Sequence, residues 1–368
     1  MAAFNSVFNR KYTEECPLNV GQCAIKCYAL YPPFVEIFGG RGFFVLHSEF
    51  HRQIDDYMLY CQSRGLTRKS MSSYEQALRL FAEWAANEKK IDRAEKVTRD
   101  VLREYMTFLL ERGKYTVVTD QATTIINHPD KRPDLGKPVS PTTVANYMRN
   151  IKVFFRFLKD ERVIKVNPAD RLKTPAPVKK ERKLLSQQEL RAFMRTFDTV
   201  SPYGLRSYIM VRLILDTGMR VGEIIMVTPD DVDLRQRTIL VRHSKSQKER
   251  YVFFSQKMGR ELRHWLDFRD RYEDCDYLFC SMRGGQLKTA SFERTVKRHG
   301  EQAGLEVTPH LLRHNFARYY LQNGGDLATL SRILGHSSLE TTKVYLDFST
   351  EEIRNLYQNN SPLNNLKI

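Results

Sequence analysis

The chain has 368 residues, 42% of them hydrophobic, with 59 Lys and Arg against 43 Asp and Glu and a formal net charge of +16. This length accommodates two or three domains, the apolar fraction is ordinary for a soluble globular protein, and the basic excess suggests a polyanionic partner, with nucleic acid the first candidate. Six cysteines (Cys16, Cys23, Cys27, Cys61, Cys275 and Cys280) are too few in a chain this long for a disulfide framework.

Residues 1–46 show no periodicity and hold Pro17, Pro32, Pro33, Gly39 and Gly40. They form an N-terminal extension of unknown role, either a small contact segment or a loosely ordered leader. No basic region followed by an apolar core opens the chain, so a cleavable signal is not expected. Lys26, Glu36 and Arg41, with the prolines and glycines, interrupt the apolar stretch 23–46, which therefore cannot span a bilayer. A cytoplasmic protein with reduced thiols and no membrane association follows. Cys16, Cys23 and Cys27, with His47 and His51 nearby, lack the two tight pairs of a zinc site, so free thiols and no metal are expected.

From residue 47 the pattern becomes helical. Phe50, Ile54, Tyr57, Met58 and Cys61 recur at spacings of three and four, and Gly65 ends the run. A second helix starts near Ser70, with Tyr74, Leu78, Phe81 and Ala85 on one face, and a third spans 99–111, with Leu102, Tyr105, Met106 and Leu109 aligned. The polar stretch 114–138 carries Pro129, Pro133, Gly136 and Pro138 and reads as a loop or a short hairpin insertion. Ser140-Pro141 gives an N-cap and a first-position proline for a fourth helix, which carries Val144, Tyr147, Ile151, Phe154, Phe155 and Leu158. Residues 47–172 thus form a small helical bundle. Arg68, Lys69, Arg149, Lys152 and Arg156 could follow a phosphate backbone or be a solvated face.

Residues 173–183 are basic and proline-bearing and include Lys179 and Lys180, the signature of a linker. It separates the bundle from a second part, 184–368. There Ser186 and Glu189 make a capping box. A long apolar helix over 204–217 is broken by Gly218, and 237–243 and 250–254 read as two short strands joined by a polar turn. The remainder is mostly helical to about Tyr357. Ile353, Leu356 and Tyr357 stand at helical spacing, suited to docking on a neighbouring protomer.

Thr308-Pro309 reads as an N-cap and first helical residue. His310 and Arg313 then lie three apart in a first turn, where free N–H groups and the helix dipole favour an anion. Asp326 caps a helix over 327–334 that Gly335 ends, and Ser337 or Ser338 caps the next. His336 falls in the turn between them, nine residues before Tyr345. Arg220 follows Gly218, with Glu223 three residues on, and Lys245 lies in the hairpin run Ser-Lys-Ser-Gln-Lys-Glu-Arg. Taken singly, each has a bland reading: a surface ion pair, a polar loop histidine, a half-buried tyrosine. No Gly-x-x-x-x-Gly-Lys phosphate loop or His-Glu-x-x-His motif is present.

In order and spacing, Arg220, Lys245, His310, Arg313, His336 and Tyr345 resemble the tyrosine recombinase (phage integrase) family. The likeness is strong from about residue 181 to 345, looser over 47–177 and absent before that. It implies a mainly α fold with a small β-sheet in the catalytic domain, in which a helical core-binding domain and a mixed α/β catalytic domain form a C-shaped clamp on DNA. It also implies cleavage and rejoining through a 3′-phosphotyrosine, with no cofactor. Tyr345 would be the nucleophile, Arg220 and Arg313 the phosphate ligands, and Lys245 the acid for the 5′-oxygen, with Lys248 its rival. His310 would assist proton transfer, His336 would donate to phosphate, and Glu223 would orient Arg220 or His310. The implied partners are double-stranded DNA with specific recombination sites, three further copies of the chain in a homotetramer, and accessory DNA-bending or directionality proteins. Integration or excision of a mobile element is the favoured role. The alternatives are an Xer-type resolvase of chromosome dimers, a type IB topoisomerase and a catalytically silent regulator.

Overall fold

The computed structural model describes residues 48–116, 128, 131–176, 184–242, 249–272, 275–281, 283–336 and 338–360. They fall into two compact units, divided between Lys179 and Lys180. The N-terminal extension 1–46 lies outside the described residues.

Among the described residues the first unit is a bundle of four α-helices, α1 (Glu49–Ser63), α2 (Arg68–Lys89), α3 (Arg99–Glu111) and α4 (Pro141–Asp160). Each starts where the chain supplies a cap or a polar break. Thr67, Thr98 and Ser140 accept hydrogen bonds from the backbone N–H three residues on, which satisfies donors that have no partner in a first turn. Helix α2 opens at Arg68, two residues earlier than expected, because Thr67 is the capping oxygen. The apolar stripes meet in an aromatic centre in which Phe50, Tyr57, Phe81, Tyr105, Phe154 and Phe155 are all buried. A bridge between Gly113 and Pro138 closes the base of the insertion expected as a loop or short hairpin, of which residues 117–127, 129 and 130 lie outside the described residues.

The second unit is also mostly helical. Helices α5 (Gln187–Arg195), α6 (Pro202–Thr217) and α7 (Val221–Ile224) precede an antiparallel sheet of β1 (Val232–Asp233), β2 (Thr238–Val241) and β3 (Arg250–Phe253), in that order. Five further α-helices follow among the described residues: α8 (Gln256–Tyr272), α9 (Thr289–Gln302), α10 (Pro309–Gln322), α11 (Leu327–Leu334) and α12 (Thr350–Asn360). Helix α6 is apolar nearly all round because α8, α9 and α10 all pack against it. The two-residue strand β1 escaped sequence reading, since two residues carry no period.

One expectation is corrected. Cys275 and Cys280 are joined by a disulfide, whereas reduced thiols were expected. Arg269 donates to the carbonyls of Cys275 and Tyr277 and folds the short loop back, which brings the two sulfurs together. Cys61 is a buried free thiol. No helix among the described residues is long and apolar enough to cross a membrane.

Candidate active site

The site is organised by the C-terminal end of α11. The last carbonyls of a helix have no partner within it and carry the negative end of its dipole. Here guanidinium groups satisfy them. The Leu334 carbonyl accepts from Arg220 Nη1 at 3.2 Å and from Arg313 Nη2 at 2.9 Å, and the Ile333 carbonyl accepts from Arg250 Nε at 3.3 Å. Gly335 then takes a left-handed conformation, φ +63°, which turns the chain back so that His336 N–H reaches the Ser331 carbonyl at 3.0 Å. That turn delivers His336 to the arginines.

Arg313 comes from the start of the second turn of α10, just after the first turn that Thr308 caps and Pro309 leads as the sequence suggested. Its guanidinium is buried, bonded to the Gly218 carbonyl and, at 3.2 Å, to His336 Nε2. The Gly218 carbonyl is available because Gly218, at φ +66°, ends α6. Burial and the neighbouring Arg220 lower the Arg313 pKa to about 10, so it stays charged at neutral pH.

Glu223 lies beneath the cluster and is 4% exposed. Its Oε1 accepts from Arg220 Nη1 at 3.0 Å and its Oε2 from the Arg220 backbone N–H at 2.9 Å. Arg250 reaches both oxygens, at 3.0 and 2.7 Å. Burial works against ionisation, but the hydrogen bonds and charge of Arg250, with help from Arg220, hold the carboxyl below its usual range. Two guanidiniums therefore share one carboxylate, with Arg313 beside them on the Leu334 carbonyl, and the surplus positive charge suits an anion.

His336 is held neutral. Burial first, then Arg313, Arg220 and Arg250, push its pKa down to about 4. An arginine N–H can only donate, so His336 Nε2 accepts from Arg313, and Nδ1 carries the proton toward Thr342 Oγ1 at 2.8 Å. Tyr345 ends a 3-10 turn (Lys343–Tyr345) and is 7% exposed. Its ring stacks on His336 with centroids 6.4 Å apart and tilts against His314 at 4.9 Å.

Arg220, Arg313, His336, Tyr345 and Glu223 thus come together. His310 lies on the exposed face of the first turn of α10, one turn before Arg313. Lys245, and with it Lys248, lies outside the described residues. Of the DNA-contact candidates, Arg68, Lys69 and Arg149 are exposed, Lys152 bonds the Leu172 carbonyl, and Lys179 and Lys180 lie outside the described residues. Sequence reading missed Arg250, although it closes the Lys-Glu-Arg run beside Lys245. It also missed Thr342, which is fully buried as the partner of His336. Thr342 is only six residues from His336, but no motif marks a threonine as the partner of a turn histidine.

The phage integrase family profile matches residues 183–352. Tyrosine recombinase XerC of Bacillus subtilis (strain 168) is 31% identical over 303 residues, 79% of this chain and 98% of that protein. Tyrosine recombinase XerD of Pseudomonas putida is 29% identical over 327 residues, 85% of this chain and 98% of that protein. Among solved structures, the Tn1549 transposon integrase in complex with a circular intermediate DNA matches with a TM-score of 0.62 at 16% identity, over 83% of this chain and 99% of that one. A lambda integrase dimer bound to a core site matches with a TM-score of 0.59 at 18% identity, over 81% and 95%. At these identities the structural likeness concerns the fold.

Proposed function

The chain belongs to the phage integrase (tyrosine recombinase) family, and on that premise we propose how its residues carry out site-specific DNA recombination. The observation that carries the reading is the meeting of Arg220 and Arg313 on one carbonyl, Leu334, with His336 and Tyr345 alongside.

Tyr345 attacks the scissile phosphorus and forms a 3′-phosphotyrosine. The phosphodiester bears one negative charge, and more charge builds on its non-bridging oxygens as the nucleophile adds. Arg220 and Arg313 offset that charge, and one such donor contributes about 3–4 kcal/mol to transition-state stabilisation. Glu223 and Arg250 hold the Arg220 guanidinium in place. His336 begins neutral, with Nε2 accepting from Arg313. When a phosphate takes over that Arg313 bond, its negative charge favours protonation of the ring, and Nε2 becomes a donor to the phosphate. Lys245 protonates the leaving 5′-oxygen, and His310 assists proton transfer with Tyr345. The covalent link conserves the energy of the broken bond, so rejoining needs no ATP.

The wider assignment extends this reading. Four protomers act on two duplexes, assisted by accessory DNA-bending or directionality proteins, in the cytoplasm. Residues 47–172 and 184–368 act as separate DNA-binding and catalytic domains, and the exposed cations Arg68, Lys69 and Arg149 contact phosphates. Integration or excision of a mobile element is the role we favour. An Xer-type role in resolving chromosome dimers is the second reading, favoured by the alignment of XerC and XerD over 98% of their lengths.

Suicide DNA substrates carrying candidate sites test the chemistry. The wild type should form a denaturant-resistant adduct, and Tyr345→Phe should bind the same DNA and form none. An adduct that survives Tyr345→Phe refutes the nucleophile. Exchange on repeats flanking the gene, as opposed to a chromosomal site, separates the two roles.

A further inference from the structure

Arg318, five residues after Arg313 on α10, is an arginine that the mechanism above leaves unused. It is 5% exposed. Its Nη1 donates to the carbonyls of Tyr345 at 3.0 Å and Asp347 at 2.9 Å, and its Nη2 donates to the Glu352 carboxylate. Gln322 donates to the same carboxylate at 2.6 Å, and the Arg318 guanidinium lies over the Phe348 ring at 4.2 Å. Glu352 also closes the start of α12: its Oε2 accepts from the Ser349 N–H at 2.7 Å, and Ser349 Oγ accepts from the Glu352 N–H at 3.3 Å.

A buried guanidinium is costly to desolvate and persists only where it is well paired. This one is spent on two backbone carbonyls that bracket the segment just after Tyr345. The 3-10 turn that ends at Tyr345 is only three residues long, and residues 346–349 have no regular structure. Such a turn is a weak frame for a side chain whose oxygen must be aimed at phosphorus. Arg318 ties it to α10, the helix that carries Arg313.

We propose that Arg318 is a positioning residue for the nucleophile, fixing the Tyr345 backbone to the helix of the phosphate-binding Arg313, with Glu352 of α12 as its anchor. The proposal rests on Tyr345 being the nucleophile. Its function is to keep the distance between phenol and guanidinium constant while DNA enters. Removal of Glu352 leaves the Arg318 charge uncompensated and loosens the same segment from the other side.

The test uses the full chain with Arg318→Ala, Arg318→Lys and Glu352→Ala, and three measurements. The first is DNA affinity beside the single-turnover rate of adduct formation. The second is nitration of Tyr345 by tetranitromethane without DNA, mapped by peptide mass spectrometry. The third is the fluorescence of Trp265, buried in the core of the same unit, read with every protein carrying Trp84→Phe so that it is the sole emitter, as a control for folding. Affinity and Trp265 emission should be unchanged. Adduct formation should fall about 100-fold in Arg318→Ala, as for a displacement near 1 Å, and less in Arg318→Lys, which keeps the charge. Nitration of Tyr345 should rise in the order wild type, Lys, Ala. If Arg318→Ala does not fold, Glu352→Ala decides, with the same rise in nitration expected. Folded variants with wild-type rate and nitration overturn the proposal, as do rate losses that match a loss of Trp265 signal or of affinity. If the wild type forms no adduct, the recombinase reading fails, and nitration alone decides whether Arg318 holds Tyr345.

Discussion

Glu223→Gln tests the electrostatic logic of the site. In the wild type, one buried carboxylate holds Arg220 and Arg250, with Arg313 one shared carbonyl away. Glutamine keeps the shape but removes the only negative charge bonded to these groups among the described residues. It also turns one end of the side chain into an N–H donor facing guanidiniums. Breaking a buried pair on one side costs about 3–5 kcal/mol. For a folding unit of ~150–250 residues, each kcal/mol moves Tm by about 2–4 °C, so a drop of about 6–20 °C is expected. The assay is a thermal melt of wild type and variant at low ionic strength, repeated with added sulfate. Sulfate can replace the lost charge and should stabilise the variant more than the wild type; an anion at 100 times its Kd contributes about 2.7 kcal/mol. Acid gives a second signature. The Glu223 pKa is lowered in the folded state, so its contribution is full above the usual glutamate range and is lost as pH falls through the lowered value. The variant should lack that loss. A variant that melts within about 1 kcal/mol of wild type, with no extra response to sulfate, refutes the idea that Glu223 holds the arginines together.

Three further outcomes are expected. The His336 pKa is lowered to about 4 from 6.5, so the unfolded chain takes up a proton first as pH falls. Stability should therefore decline between pH 6.5 and 4 with a slope that His336→Gln lacks, and the ring should titrate near 4 by NMR; a midpoint near 6.5 contradicts the described environment. In Gly218→Ala the new Cβ would lie 2.3 Å from Phe316 Cδ1 at a backbone φ of +66°. Overpacking of this kind costs about 1–3 kcal/mol, and the left-handed backbone adds about 1–2 kcal/mol, so denaturant melts should show a loss of several kcal/mol, and a neutral result removes Gly218 as a constrained position. Lys245→Ala should slow cleavage of an ordinary phosphodiester strongly and barely slow one whose bridging 5′-oxygen is sulfur, because a thiolate leaves without a proton. Sulfur rescue at Lys248 instead, or none at Lys245, reassigns the acid.

Much of the molecule was legible one residue at a time, because it depends on local rules. Helix starts at Ser140, Ser186, Thr308 and Asp326 follow from capping chemistry, and all four act as caps. The buried stripe of the fourth helix, Val144 to Leu158, follows from the 3.6-residue period. Arg220, Arg313, His336 and Tyr345 could be named from their spacing and the resemblance it carries.

Tertiary structure alone decided how those residues are held. The carbonyl of Leu334 gathers arginines from α10 and from the start of α7, more than twenty and more than a hundred residues away in sequence, and a carbonyl has no sequence signature. Arg250 and Arg318 look like ordinary basic residues in a chain rich in them. Burial makes them specific, because a charge withdrawn from water must find fixed partners. Those partners, Glu223 for one and the Tyr345 carbonyl with Glu352 for the other, are set by how the helices pack. The disulfide between Cys275 and Cys280 has the same origin: five residues of separation permits it, and the loop held by Arg269 brings it about.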